Sequence, residues 1–212
     1  MNLKISNNWA SLNKLEADDE ICQFILSNLN LRSLDADCNL TNISAVEGVF
    51  DKVNFSSCKL KKGYFKRVIF KDCDLIASDF NDCIFESVEF VNCRATGILI
   101  PDSRLANIKF NGCKLDFANF RFSQFKDVKF KDCEMTESDF YQTKLKRLDF
   151  MSCNLASTNF DKVEMEEVDF SSANSLSDIN GISSMRGAII SETQLVEISL
   201  QLAANLGIKV KD

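Results

Sequence analysis

The sequence predicts an all-β fold, a four-sided solenoid closed by a C-terminal helix, on three observations. First, every fifth residue from Leu40 to Phe170 is Phe, Leu, Ile, Met or Ala, at 27 positions without a polar exception. A helix repeats every 3.6 residues and a strand every 2, so a fivefold beat demands a backbone that turns a corner with each repeat. Second, the residue two before each beat is small or β-branched, or once Leu: Cys58, Gly63, Val68, Cys73, Ser78 and onward to Val168. Two residues apart on extended backbone means one face, so both positions point into a single interior. Third, the beat itself has a period of 20: positions 50, 70, 90, 110, 130, 150 and 170 are all Phe, and Cys recurs at 73, 93, 113, 133 and 153. Twenty residues at five per side is four sides per coil, with coils stacked about 4.8 Å apart.

Taken in order, the elements are these. Residues 1–37 read as an N-terminal cap and a slipped first coil. Trp9, Leu12 and Leu15 have helical spacing, Ile21, Phe24 and Ile25 extend that stripe, and Leu29 with Leu31 and Leu34 with Ala36 look like repeats displaced by one residue. Such a cap covers unpaired strand edges at the solenoid end. Residues 38–190 form the solenoid, the pattern loosening after Phe170 through Leu176, Ile179, Ile182 and Met185. Residues 191–212 read as a capping and dimerisation segment. Ser191 with Gln194 makes a capping box, Leu195, Ile198, Leu202 and Leu206 share a face, Gly207 stops the helix, and Ile208 to Val210 reads as a short strand.

The repeat resembles that of the pentapeptide-repeat proteins, whose unit is a small residue, a polar one, a central Leu or Phe, then two polar residues. Cys73 to Asn92 matches it unit by unit, and the resemblance runs over residues 38–170. It implies a right-handed quadrilateral β-helix. The run Ile179 to Ile190 is similar to the ending of the topoisomerase-protecting (Qnr-like) branch, whose members bind DNA gyrase or topoisomerase IV as DNA mimics and dimerise through a C-terminal segment. That likeness implies a homodimer through Leu195, Ile198, Leu202 and Leu206. The loops that interrupt the coils of some such relatives have no counterpart here, because the beat never breaks.

Composition narrows the function. The chain has no histidine, which removes His-based acid–base catalysis, Ser-His and Cys-His nucleophiles and imidazole metal sites. None of its seven glycines falls in phosphate-loop spacing and no two of its nine cysteines form C-x-x-C. The expectation is a protein that is not an enzyme and takes no cofactor or metal. With no basic n-region, apolar h-region or 18-residue apolar run, the chain reads as cytoplasmic, without a membrane partner. Eight cysteines occupy the small inward position in exchange with Val, Ser, Thr, Ala and Gly, which predicts reduced core thiols chosen for size.

What remains is surface. Residues 40–170 carry 21 acids and 19 bases, a net of −2. Modulo 20, Lys66, Arg67, Lys126, Lys146 and Arg147 fall along one corner beside Lys109 and Lys129, while Asp79, Asp139 and other acids gather on other sides. DNA mimicry needs a continuous negative face, which this net charge does not supply by itself. On the acidic side Leu99, Pro101, Phe117, Phe122 and Tyr141 point outward, and several apolar residues together suggest a contact patch. The partner expected from these residues is a protein rather than nucleic acid. Shielding a type II topoisomerase from quinolones or a toxin is one reading, and a rigid scaffold for an unrelated partner is the other.

Overall fold

A computed structural model describes residues 3–6, 20–27 and 39–211, with backbone alone for the first two stretches. The main sheet is parallel and built from one strand per coil: β1 (Leu3–Ser6), β2 (Glu20–Ser27), β3 (Ser44–Asp51), β4 (Tyr64–Lys71), β5 (Ile84–Glu86), β6 (Glu89–Val91), β7 (Arg104–Asn111), β8 (Gln124–Lys131), β9 (Lys144–Met151) and β10 (Glu164–Asp169). In β4 and β5 one coil meets the next, β5 and β6 being the two halves of a single strand position. From β3 onward each residue pairs with the one 20 later, as Phe50 with Phe70 and Phe110 with Phe130. The other two sides pair through single-residue parallel bridges, such as Asp74 to Arg94 and Asn119 to Asp139. The result is a four-sided β-solenoid.

The inward rows are the ones the beat predicts, and their burial is nearly complete. Phe rings at 50, 70, 90, 110, 130, 150 and 170 stack in one continuous column with centroids 4.6–5.1 Å apart. Rings from adjacent sides meet this column edge-on, as Phe140 does Phe150 at 90°. Offset stacks and edge contacts are the favoured aromatic geometries, so the column packs without mismatch.

At the small inward position, size is half of the requirement. Three of the four corners are turns, and at most of them the side chain plugs into the turn of the preceding coil; Ser78 and Thr143 instead donate within their own turn, to the Leu75 and Phe140 carbonyls, and Ile98, Ala118 and Val163 donate nothing. Ser123 Oγ donates to the Ile100 carbonyl at 2.7 Å and accepts from the Ser103 N–H at 2.9 Å. Ser103 does the same to Phe80 and Cys83, and Cys83 to Leu60 and Gly63. Cys73, Cys93, Cys113 and Cys133 donate likewise to Phe50, Phe70, Phe90 and Phe110. Cys, Ser and Thr therefore exchange there because each is a small hydrogen-bond donor. At the fourth corner the strand runs through, Ile108, Val128 and Leu148 lie in register within the ladder, and apolar residues suffice. Replacing Ser123 by Ala should cost about 1–3 kcal/mol, since two buried backbone groups lose their partner, while Ser123→Cys should cost under about 1 kcal/mol. Urea unfolding of both variants checks this.

Four expectations are corrected. Ile21, Phe24 and Ile25 do not extend a helical stripe: they lie on β2, where Ile21 pairs with Ala45 and Leu26 with Phe50. That offset is 24 residues rather than the 20 of the later coils, the same one-residue displacement from the fivefold beat that the sequence shows before Cys38. Trp9, Leu12, Leu15, Leu29, Leu31, Leu34 and Ala36 lie outside the described residues. Cys58 is disulfide-bonded, whereas Cys73, Cys83, Cys93, Cys113, Cys133 and Cys153 are free and buried. Inward positions of successive coils are within disulfide reach, so the scaffold permits either state. Burial pushes the Cys83 thiol up to about 12. Ile208 to Val210 forms no strand.

The fourth correction is electrostatic. The basic corner is interleaved with acids one coil away: Lys66 pairs with Glu86, Arg67 with Glu47, Lys109 with Glu89, Lys129 with Asp149, Lys146 with Glu166 and Arg147 with Asp127. Hydrogen bonds from Lys66 and Arg147 hold the Glu86 and Asp127 carboxyls below their ordinary values. Folding in coils of 20 places these opposite charges in one column, where like charges would repel.

Past Phe170 the coil takes up one extra residue, Asn154 pairing with Ser175 and Asn159 with Asn180, then loses it again by Asp169 with Ile189. A 3-10 turn (Ile182–Ser184) and helix α1 (Glu192–Asn205) finish the chain. Ser191 and Gln194 form the capping box. At the other end Ile208 N–H donates to Ala203 and Gly207 N–H to Ala204, with Gly207 at φ 74°, a Schellman stop.

Candidate protein-contact face

Every repeat ends in a residue with left-handed backbone, and this sets up the candidate site. Twenty-five non-glycine residues have φ of 51–65°, one at each corner from Asn42 to Glu167 that lacks glycine and one more at Asp178. The conformation costs about 1–3 kcal/mol for an ordinary residue and is held here by the ladder, as Phe117 N–H donates to Thr136 O and Phe122 N–H to Tyr141 O. Its side chain points to solvent. The occupants are polar, charged or Ala with two exceptions, Phe117 at φ 59° and Phe122 at φ 63°. They are 54% and 47% exposed. Bulky residues are rare at positive φ, and neither ring gains burial from being there. They stand at the two edges of one side of the solenoid, with Asn119 and Arg121 between them.

Around Phe122 the side chains form a fixed cluster. The Tyr141 ring lies edge-on to Phe122 at 5.9 Å. Arg121 and Lys162 sit over Tyr141 at 5.4 and 5.1 Å, and Lys162 Nζ donates to Tyr141 Oη at 2.8 Å. Arg121 Nε donates to Asp139 Oδ2 at 2.6 Å, and Asp139 Oδ1 accepts from the Tyr141 N–H and from Asn159. Tyr141 is thus immobilised before any partner arrives, which lowers the entropy lost on binding.

Leu99 and Pro101 fit this side as a matched pair. In the neighbouring coils the Oδ1 of Asp79, Asn119, Asp139 and Asn159 accepts the N–H two residues on, because that N–H lies outside the ladder. In the 99–101 coil the acceptor is replaced by Leu and the donor by Pro, so nothing is left unpaired. An apolar step therefore sits among polar ones, one coil from Arg121 and Phe122.

Of the residues singled out in the sequence, Phe122, Tyr141 and Asp139 touch one another, Leu99 and Pro101 adjoin them, and Phe117 marks the far edge. Asp79 stands three coils from Asp139 and is paired with Lys61 at 3.0 Å, so it lies outside the cluster. Arg121 and Lys162 join the site without a sequence signal of their own, although their offsets of 20 and 21 from Tyr141 place them on adjacent coils. In the C-terminal segment, Ile198 is buried and Leu202 packs on the last coils, so these two cap rather than face outward. Leu195 and Leu206 are exposed, joined by Val196 and Leu200.

A family model described as pentapeptide repeat region matches residues 63–140 and 123–201, together two thirds of the chain. The chain belongs to the pentapeptide-repeat family. No curated protein matches this pentapeptide-repeat chain in sequence. Among solved structures, a trypsin-treated form of QnrB1, a plasmid-mediated fluoroquinolone resistance protein, is 16% identical over 90% of this chain and 99% of its own, with a TM-score of 0.39. HetL, a pentapeptide repeat protein involved in heterocyst differentiation regulation from the cyanobacterium Nostoc, is 14% identical over 82% of this chain and 90% of its own, with a TM-score of 0.36. Among the described residues no helix of this pentapeptide-repeat protein is long and apolar enough to cross a membrane, which says nothing of a β-barrel.

Proposed function

We propose that this chain is a non-enzymatic protein-binding rod that meets its partner through the face around Phe122 and Tyr141. The observation that carries the reading is the placement of two exposed phenylalanines at positive φ, one of them against a clamped tyrosine. Folding stability gains little from either, while rigid aromatics ringed by polar groups are the usual anchors of protein interfaces. The partner we propose is a type II DNA topoisomerase, gyrase or topoisomerase IV, shielded by occupancy from quinolones or a toxin; this rests on the resemblance of the repeat and the tail. Coil-to-coil ion pairing on the strand sides argues against mimicry by a continuous negative face and for contact through the aromatics. Gyrase supercoiling in the presence of ciprofloxacin, titrated with the protein, is the test. Protection should appear at micromolar protein and weaken about tenfold or more in Phe122→Ala with Tyr141→Ala. Indifference of the enzyme to the intact protein would leave the alternative, a scaffold for an unrelated protein.

We also propose a homodimer through residues 191–210. Helix α1 turns Gln194 and Ile198 inward and leaves Leu195, Val196, Leu200 and Leu206 exposed beside Ile208 and Val210, more apolar surface than a monomer needs. Sedimentation should give a dimer at micromolar concentration, and Val196→Asp with Leu200→Asp should give a monomer of unchanged fold. A monomer before substitution would refute this.

A further inference from the structure

We propose that the strand sides of the three central coils form a second interaction surface, fitted to an acidic, extended segment of a protein. It lies on other sides of the solenoid from the aromatic face and does not depend on the function proposed above. Residues 104–112, 124–132 and 144–152, which contain β7, β8 and β9, carry eight cations against three carboxylates, a net of +5. The coil before, residues 84–92, carries −2 and the coil after, residues 164–172, carries −4. The cations at the borders are taken up by those neighbours, Lys109 by Glu89 and Lys144 by Glu164. In the middle, Arg104 and Lys126 make no ion pair among the described residues, and Lys129 and Lys131 have only loose ones, at 3.7 and 3.9 Å. A groove of about 450 Å³ runs beside Lys126, Lys144 and Lys146 and is closed on its far edge by Glu164 and Glu166.

Geometry selects the kind of anion. Lys129 and Lys131 alternate on β8, so their side chains leave the backbone about 6.6–6.8 Å apart, whereas on β9 Lys144 and Lys146 are held by Glu164 and Glu166. Carboxylates on alternate residues of an extended peptide have that same spacing. The basic rows span only two coil steps, roughly 10 Å along the rod, before acids begin. Nucleic acid fits less well: duplex binders neutralise roughly 6–10 phosphates along a continuous track, and here Asp127, Asp132 and Asp149 interrupt the rows. No aromatic side chain faces outward from these strand sides to stack a base.

The test uses the full chain and a fluorescein-labelled oligoglutamate peptide, extended at neutral pH by its own charge, with anisotropy read at low and at raised salt. Binding should be measurable at low salt, fall about tenfold or more on raising salt from about 50 to 300 mM, and fall about tenfold in Lys126→Gln with Lys129→Gln and Lys131→Gln. These side chains are exposed, and an unchanged melting temperature confirms that the variant is folded. Phe122→Ala should leave this binding unchanged, which separates it from the aromatic face. No binding at low salt, binding indifferent to the lysine substitutions, or tighter binding of a short duplex DNA than of the peptide would overturn the proposal.

Discussion

Phe110→Ala is expected to lower the free energy of unfolding by about 3–5 kcal/mol. The ring is 1% exposed and lies between Phe90 at 4.6 Å and Phe130 at 4.8 Å, almost parallel to both. Removing it deletes the transfer term of a buried aromatic and leaves a void that the ladder above and below cannot close, because hydrogen bonds fix the coil spacing at the strand repeat. A second loss comes from the two stacking contacts, each about 0.5–1.5 kcal/mol. Position along the rod should matter as much as chemistry. In a solenoid each coil touches only its neighbours, so a defect in the middle uncouples two halves, each carrying one more unpaired end. Denaturant unfolding of the variant should therefore show a broader or two-step transition, where the parent shows one. A loss under about 1 kcal/mol would mean that the Phe column is filling space without holding the coils together.

How much of the fold and site is legible in the sequence follows from what each period encodes. The beat of five decides which side chains enter the core, so it assigns Phe50 to Phe170 to the interior by itself. The beat of 20 decides which residues are neighbours, and it holds the rest of the information in a form that is easy to misread. Lys66 and Lys146 share a column, but so do Glu86 and Glu166 between and beyond them; collecting charges by sign hides the alternation that the fold turns into ion pairs. Cys73 and Ser123 look interchangeable by volume because a sequence does not display which backbone carbonyl is left over at a corner. Arg121 and Lys162 escape notice because each is unremarkable alone and acquires meaning only over the Tyr141 ring. The N-terminal coil misleads for another reason: Ile21, Phe24 and Ile25 satisfy helical spacing over so short a run that periodicity cannot separate helix from strand.

Gln194→Leu should detach the C-terminal helix from the coil it closes, at a cost of about 2–4 kcal/mol. This side chain is buried and serves two structures at once. Its Oε1 accepts the Ser191 N–H as the returning half of the capping box, and its Nε2 donates to the carbonyls of Phe170 at 2.6 Å and Ala173 at 3.0 Å. The carbonyls lie at the end of the regular solenoid, where, among the described residues, the one other donor to Phe170 O is the Ala173 N–H of its own turn. Gln194→Glu distinguishes the two duties. In a free helix Glu is as good as Gln at this position of the box; here it would bring a carboxylate against two carbonyl oxygens and offer them no proton. The Glu variant should thus be at least as destabilised as the Leu variant, with fast hydrogen exchange confined to residues 192–205 and the Phe column still protected. If Glu instead behaves like the parent, the side chain serves the helix alone. Because Leu195, Val196 and Leu200 are carried by the same helix, either disruptive variant should also abolish the dimer, linking the closure of one rod to its pairing with another.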